Sequence, residues 1–342
     1  MKNKLVLLFI FLYNLSYSQQ ISDLYEKANA AVVLIRTIKP ELVDLGNQQY
    51  TVGLEGIGSG FVISKTGEII TASHIVQTAE EITVVFNDGE EVPARVLFTY
   101  PAADVALIKL STPKSTPLLP VRLGDSDKVR IGDQVFIIGA PYGIGQSLSV
   151  GYVSGKHGRK HMSGGFLNTE FIQTDAAINE GSSGAPMFNT KGEVIGIASF
   201  ILSHSHGFNG LGFASSSNIA KTMLNKEHSI WTGIEAFFIT DTMAEILNVP
   251  QSGGILVEKV ASTSLGHKLG LKGGSYAMTL EGETIWVGGD IILKLEDIPL
   301  TDNTNLLKAW QKLLSLKTGE PLSFTILRKG KLMVLKDTMP IE

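Results

Sequence analysis

With 342 residues the chain is long enough for two domains that each bury a core, and a net charge of −4 excludes the strongly basic surface that nucleic acid or an anionic membrane attracts. It contains no cysteine, so disulfides and cysteine-borne lipids are excluded and the fold must be held by packing.

Lys2 and Lys4 precede an apolar run at 5–13, and Ser16 and Ser18 stand where a signal peptidase reads small residues. Residues 1–18 therefore read as a secretory leader cleaved after Ser18, the run being far shorter than the roughly 20 residues of a membrane span. From there to residue 226 short apolar segments alternate with turn signals. Strands are expected at 32–38, 60–63, 82–86, 92–97, 105–110, 135–138, 171–174, 194–200 and 211–214, the pattern of an all-β double barrel. Asn87, Asp88 and Gly89, and Thr190, Lys191 and Gly192, supply hairpin turns because these residue types tolerate positive φ.

Three residues along this stretch carry chemistry together that none carries alone. His74 stands at the end of an apolar strand and Asp104 opens another; singly, the first reads as a satisfied histidine and the second as a cap or turn residue. Ser183 follows an apolar run and lies between Gly181 and Gly184, which by itself reads as a turn between strands. A seryl hydroxyl becomes a nucleophile only when a base takes its proton and donors await the oxyanion, and the glycine-flanked bend aims the N–H groups of Gly181 and Ser183 at one point. The order His, Asp, Ser is that of chymotrypsin-type triads, not of hydrolases with a Gly-x-Ser-x-Gly elbow. His74 and Asp104 fall among the earlier strands and Ser183 among the later ones, so the site is expected in the cleft between the barrels, open to an extended peptide.

Residues 155–168 form a polar, glycine-rich stretch with Lys156, Arg159 and Lys160, read first as a solvated loop. His157, His161, His204 and His206 have spacings that can suggest zinc, but no carboxylate or cysteine pattern joins them and glycines interrupt any helix, so no metal site is expected. Residues 217–225 read as a short helix and 226–229 as a linker. Beyond it, a helix at 264–269 closes at Gly270, strands at 276–280 and 283–287 flank Glu281 and Gly282, and a helix at 303–314 carries Leu306, Leu307, Trp310, Leu313 and Leu314 on a core-facing stripe.

The stretches GSGFVIS at 58–64, TASHIV at 71–76, ADVALIKL at 103–110, TDAAINEGSSGAP at 174–186 and GLGFASSSN at 210–218 resemble the successive signatures of HtrA (Deg) serine proteases. The likeness continues through a PDZ-like C-terminal segment and covers nearly the whole mature chain. It implies a chymotrypsin-like double β-barrel protease domain at 19–226 followed by a β-rich PDZ domain with short helices at 227–342. It implies His74 as general base, Asp104 as its orienting partner and Ser183 as nucleophile, without a cofactor, in a homo-oligomer whose smallest unit is a trimer. Where the trypsin-like branch places an acidic residue six positions before the nucleophile this chain has Ala177. With Asn209, Gly210, Leu211 and Gly212 this implies a small apolar substrate pocket. The resemblance also implies a carboxylate-binding loop at Thr232, Gly233 and Ile234, a sensing loop with Arg159, and a periplasmic rather than extracellular location.

The chain departs from the family at Glu180, Ser182 and Ala185, where Pro, Asn and Gly are usual, and Glu180 is expected to pair with Arg159 or Lys160 of the sensing loop, the alternative being a solvated side chain that changes little. The resulting expectation is an exported serine endopeptidase that cleaves misfolded or damaged envelope proteins and is regulated by peptide C-termini at its PDZ domain. The alternative is a holdase or peptide-sensing binding protein with an idle protease site.

Overall fold

The computed structural model describes residues 20–45, 48–158, 170–203, 207–224, 230–280 and 283–339. The expected leader, the linker at 226–229, and Arg159, Lys160, His161, His204 and His206 lie outside the described residues.

Helix α1 (Gln20–Asn29) opens the described chain, a helix where the sequence suggests only strands. Its Ile21, Leu24, Tyr25 and Ala28 recur at helical spacing and pack on the core between the barrels. Strands β1 (Val32–Leu45), β2 (Gln48–Val62), β3 (Glu68–Thr71), β4 (Glu81–Val85), β5 (Glu91–Tyr100) and β6 (Val105–Leu110) close a barrel in the order β1-β2-β3-β6-β5-β4. A helix of four residues, α2 (Ser73–Val76), follows β3 directly. The second barrel consists of β8 (Gln134–Gly139), β9 (Ser147–Gly158), β10 (Glu170–Thr174), β11 (Pro186–Asn189), β12 (Glu193–Ile201) and β13 (Gly212–Ser216), closed where β11 pairs with β12; β7 (Arg122–Leu123) adds parallel to β12. All the expected strands are present, most extended by one or more residues, while β3, β7, β9 and β11 lie outside the expected ranges. Residues 155–158, read as the start of a loop, belong to β9 and pair with β10.

Each barrel is filled by its own alternating apolar face, the first around Val33, Ile35, Ile69, Val84 and Ile108, the second around Val135, Ile137, Ile172, Met187 and Ile195. A third cluster joins them: Phe61, Ile70 and Val105 from the first barrel meet Phe136, Ile138, Phe188 and Ile197 from the second. The Phe136 and Phe188 rings stack with centroids 5.0 Å apart. Burying each such side chain contributes roughly 1.5–3 kcal/mol, so this shared core fixes how the barrels meet and where the cleft between them lies.

Helix α3 (Ser217–Leu224) closes the double barrel. The C-terminal unit is a sheet of β14 (Ile234–Thr240), β15 (Gly253–Val260), β18 (Ile291–Leu295), β20 (Pro321–Arg328) and β21 (Lys331–Thr338) in that order, with β19 (Ile298–Pro299) on β18. Strands β16 (Tyr276–Leu280) and β17 (Glu283–Val287) form the separate hairpin that their alternation suggests. Helices α4 (Asp241–Ile246), α5 (Leu265–Lys268) and α6 (Asn303–Ser315) flank the sheet. Ser264 caps α5 by accepting from His267 N, and Asp302 caps α6 by accepting from Asn305 N. Ala309 and Leu313 of α6 are buried, whereas Trp310 and Leu314 also reach the core between the barrels, Trp310 lying 5.8 Å from Tyr100 of β5.

Candidate active site

His74 sits in α2 and not at a strand end, and Asp104 precedes β6 as the left-handed cap (φ 54°) of a short 3-10 turn, Pro101–Ala103. That cap brings the carboxylate back onto the helix. Asp104 Oδ1 accepts from the His74 backbone N–H at 2.9 Å, and the two carboxylate oxygens lie 2.9 and 2.8 Å from His74 Nδ1. A carboxylate only accepts, so Nδ1 carries the proton and Nε2 keeps its lone pair. Burial lowers the pKa of His74, but the charge and hydrogen bond of Asp104 more than offset it, leaving the imidazole above its ordinary value. Burial opposes ionisation of Asp104, and the His74 charge with the bonds from His74 and Ser199 outweighs it, holding the carboxyl below the usual range.

Ser183 lies on the turn between β10 and β11. Its Oγ donates to the carbonyl of Ser199 at 3.2 Å, and among the described residues no hydrogen bond joins it to His74. Ser199 links the two halves of the site, because its own hydroxyl donates to Asp104 Oδ2. Ser183 is therefore connected to the His74 and Asp104 pair through one residue of β12.

The backbone around Ser183 is nearly saturated. Ser182 N donates to Asn179 O, Gly184 N to Ala198 O and Ala185 N to Ser182 O, while Gly181 N and Ser183 N have no hydrogen-bond acceptor among the described residues. Two donors thus remain available, one residue apart. Gly181 (φ 86°) and Gly184 (φ 87°) make the turn possible, and a Cβ on Gly184 would lie 2.1 Å from Ser59 O. The Glu180 side chain is exposed and makes no ion pair among the described residues; its carbonyl accepts from Tyr142 N at 2.9 Å. Ser182 and Ala185, the other two departures, are both buried.

The expected pocket residues fall in the second barrel, Ala177 between β10 and β11, Asn209, Gly210 and Leu211 between β12 and β13, and Gly212 at the start of β13. Ala177 is half-buried and Gly212, on β13, is buried against Ile178 and Phe208, whose atoms lie 3.0 and 3.2 Å from the point a Cβ on Gly212 would occupy. Asn209 and Leu211 are exposed and Gly210 half-buried. Asn209 donates to Ser203 Oγ at 3.1 Å. The nearby Asp175 carboxylate accepts from Tyr152 N at 2.6 Å. Behind the wall, Phe200 stacks on Phe213 at 4.9 Å. No cluster of potential metal ligands occurs among the described residues.

Thr232, Gly233 and Ile234 lie against α2. Gln77, directly after that helix, donates through Nε2 to Ile234 O at 2.7 Å and accepts at its carbonyl from Trp231 Nε1 at 2.9 Å. Gly233 (φ 63°) packs on Ser264.

Sequence reasoning missed Ser199, Ser59 and Lys39. Lys39 Nζ donates to the His74 carbonyl at 2.6 Å. The available signals were a serine at the interior of each of two apolar strands and a lysine breaking β1.

Two closed barrels joined by an apolar interface, with a histidine and aspartate on one and a glycine-flanked serine on the other, define the trypsin-like peptidase class, and the trypsin-like peptidase domain family matches residues 58–197. The chain is similar to DegP-like and HtrA-type proteases. It is 35% identical over 297 residues to the probable periplasmic serine endoprotease DegP-like of Pseudomonas fulva (strain 12-X), covering 84% of this chain and 57% of that protein. With the protein of the same description from Brucella suis biovar 1 (strain 1330) it is 36% identical over 261 residues, 75% of this chain and 50% of that one. The chain thus spans about half the length of the curated relatives it matches. Among solved structures, HtrA-type protease AlgW with tripeptide superposes with a TM-score of 0.53 at 27% identity, covering 94% of this chain and 97% of that one. HtrA-type protease AlgW with decapeptide gives 0.52 at 27%, covering 94% and 98%.

Proposed function

We propose that this protein is an exported, cofactor-free serine endopeptidase, acting in the periplasm on misfolded or damaged polypeptides, with a protease domain at 19–226 and a PDZ domain at 227–342. The observation that carries the reading is the alignment of parts around Ser183: a base whose proton is fixed on Nδ1 by Asp104, and two unengaged backbone donors flanking Ser182. Ser183 Oγ attacks the scissile carbonyl while His74 Nε2 takes the hydroxyl proton and later returns it to the leaving amine. Asp104 orients the imidazole and stabilises its charged form. The N–H groups of Gly181 and Ser183 hold the oxyanion. A substrate amide approaching Ser199 O competes with the seryl hydroxyl for that acceptor and frees the hydroxyl to turn to His74.

Ala177 stands where the trypsin-like branch has an acidic residue, and Gly212 packs against Ile178 and Phe208, so small aliphatic residues are the preferred occupants at the cleaved bond. The periplasmic location follows the descriptions of the relatives, and binding of polypeptide follows the peptides in the AlgW structures. Peptide C-termini bind at Thr232, Gly233 and Ile234, a trimer is the smallest assembly, and Arg159 belongs to the loop that senses activation.

The test is cleavage of an unfolded, casein-like substrate. Ser183→Ala is expected to remain folded and to lose on the order of a million-fold in kcat. Undiminished cleavage by the variant overturns the assignment, and folding with substrate retention but no turnover in the wild type favours the holdase reading. Peptides with free and amidated C-termini, titrated against the full chain, test the PDZ reading, which requires the free form to bind more tightly.

A further inference from the structure

We infer that Ser59 is a positioning residue for the oxyanion donor, an inference that rests on the endopeptidase reading and extends it to a side chain on the opposite barrel. Ser59 is a fully buried residue of β2. Its Oγ donates to Gly181 O at 2.7 Å and accepts from Ala140 N at 2.9 Å. The direction is unambiguous: an amide N–H can only donate, so the single hydroxyl proton goes to Gly181. The Ser59 backbone N–H meanwhile donates to Ser183 O at 2.8 Å, and its carbonyl accepts from Thr71 Oγ1 at 2.7 Å. All four polar groups of the turn's anchor are used.

The consequence is geometric. A peptide unit is planar and trans, so fixing a carbonyl fixes the N–H on its other side. The Glu180 carbonyl is held by Tyr142 N, which turns Gly181 N–H the opposite way. The Gly181 carbonyl is held by Ser59 Oγ. Both peptides flanking Gly181 are therefore clamped, and both clamps depend on Ser59. It makes the second directly and steadies the first through Ala140, two residues before Tyr142. The fit allows no slack, since a Cβ on Gly181 would lie 2.6 Å from Ala140 O and 2.7 Å from Tyr142 N. Loss of the hydroxyl leaves Gly181 O and Ala140 N buried without their partner and frees the peptides to rotate, and rotation of the first withdraws the donor.

The experiment compares wild type, Ser59→Ala, Ser59→Cys and Ser59→Thr as full-length proteins. Active sites are counted by fluorophosphonate labelling carried to completion, so that rates refer to folded protein. Ser59→Ala is expected to lower kcat about ten- to hundredfold with KM within about twofold, short of or up to the loss of a whole oxyanion donor. Its affinity for a peptide aldehyde, which presents an oxyanion when bound, should fall in parallel, while the acid limb of kcat/KM set by His74 stays in place. Ser59→Cys should fall between wild type and Ser59→Ala, and Ser59→Thr should recover rate with its hydroxyl. An unchanged kcat in Ser59→Ala overturns the inference, as does a loss confined to KM or an unchanged aldehyde affinity. A wild type that neither labels nor cleaves overturns the endopeptidase reading itself, and the inference with it.

Discussion

At His74 burial and opposing charges set the base. Burial lowers its pKa, Asp104 more than makes up for that, and the ammonium of Lys39, bonded to the His74 carbonyl, lowers it. Burial, with the charge of Lys259, holds the Lys39 ammonium below the ordinary lysine value against the pull of Glu235, Glu41 and Asp104. Catalysis needs the neutral imidazole, so kcat/KM rises with pH through the His74 pKa, and that limb lies above the ordinary histidine value. Lys39→Met removes a positive charge that favours the neutral ring. The limb is expected to move to higher pH, read from a pH profile of kcat/KM; a move to lower pH contradicts the account. Ser199→Ala removes one of the hydrogen bonds that hold Asp104 ionised. Hydrogen bonds to charged groups are worth roughly 1.5–3 kcal/mol, so a loss of about tenfold in kcat is expected from steady-state rates, with Ser183 still labelled.

The elements differ in how openly the sequence shows them. Strands β4, β6, β10 and β12 are apolar runs or alternations bounded by turn residues, and the β16 and β17 hairpin keeps a clean alternation, so all were readable. Strand β9 alternates Leu148, Val150 and Tyr152 with Ser149 and Gly151, but these large side chains face outward while Gly151, Val153 and Gly155 are buried, and the pattern fades into Gly, Lys and His, where pairing with β10 carries the strand on. Helix α2 has four residues, too few for helical periodicity, and it is tertiary bonds to Asp104 and Lys39 that hold it. The triad candidates were legible because residue type and chain order carry them. Ser59, Ser199 and Lys39 were not, because their roles depend on hydrogen-bond partners contributed by distant segments. The turn between β10 and β11 offers the sharpest test at this scale. Gly184→Ala places a methyl into Ser59 O at a positive φ, and is expected to abolish activity and to cost several kcal/mol in chemical denaturation, more than the roughly 1 kcal/mol of a glycine replaced in open space. Retention of wild-type stability contradicts the packing described.

Across the molecule, the C-terminal unit grips the barrel that carries His74. Besides the three bonds of Gln77, to Thr232 Oγ1 and Ile234 O and from Trp231 Nε1, Thr78 Oγ1 lies 3.4 Å from Glu235 Oε2, Lys259 pairs with Glu41 of the long β1 strand at 2.9 Å, and Trp310 meets Tyr100. Events at Thr232, Gly233 and Ile234 are thereby one residue contact from the helix of the base. Gln77→Ala removes a hydrogen bond worth about 1 kcal/mol, and amide exchange across residues 231–234 is expected to quicken severalfold, measured by hydrogen exchange with mass spectrometry; unchanged exchange contradicts this docking. The central claim, that the cleft between the barrels houses a working serine nucleophile, is tested most directly by fluorophosphonate labelling of the purified wild type with the modified peptide mapped by mass spectrometry. The account predicts one label per chain, on Ser183, absent in Ser183→Ala and strongly slowed in His74→Ala, whereas a wild type that stays unlabelled, or labels at another residue, contradicts it.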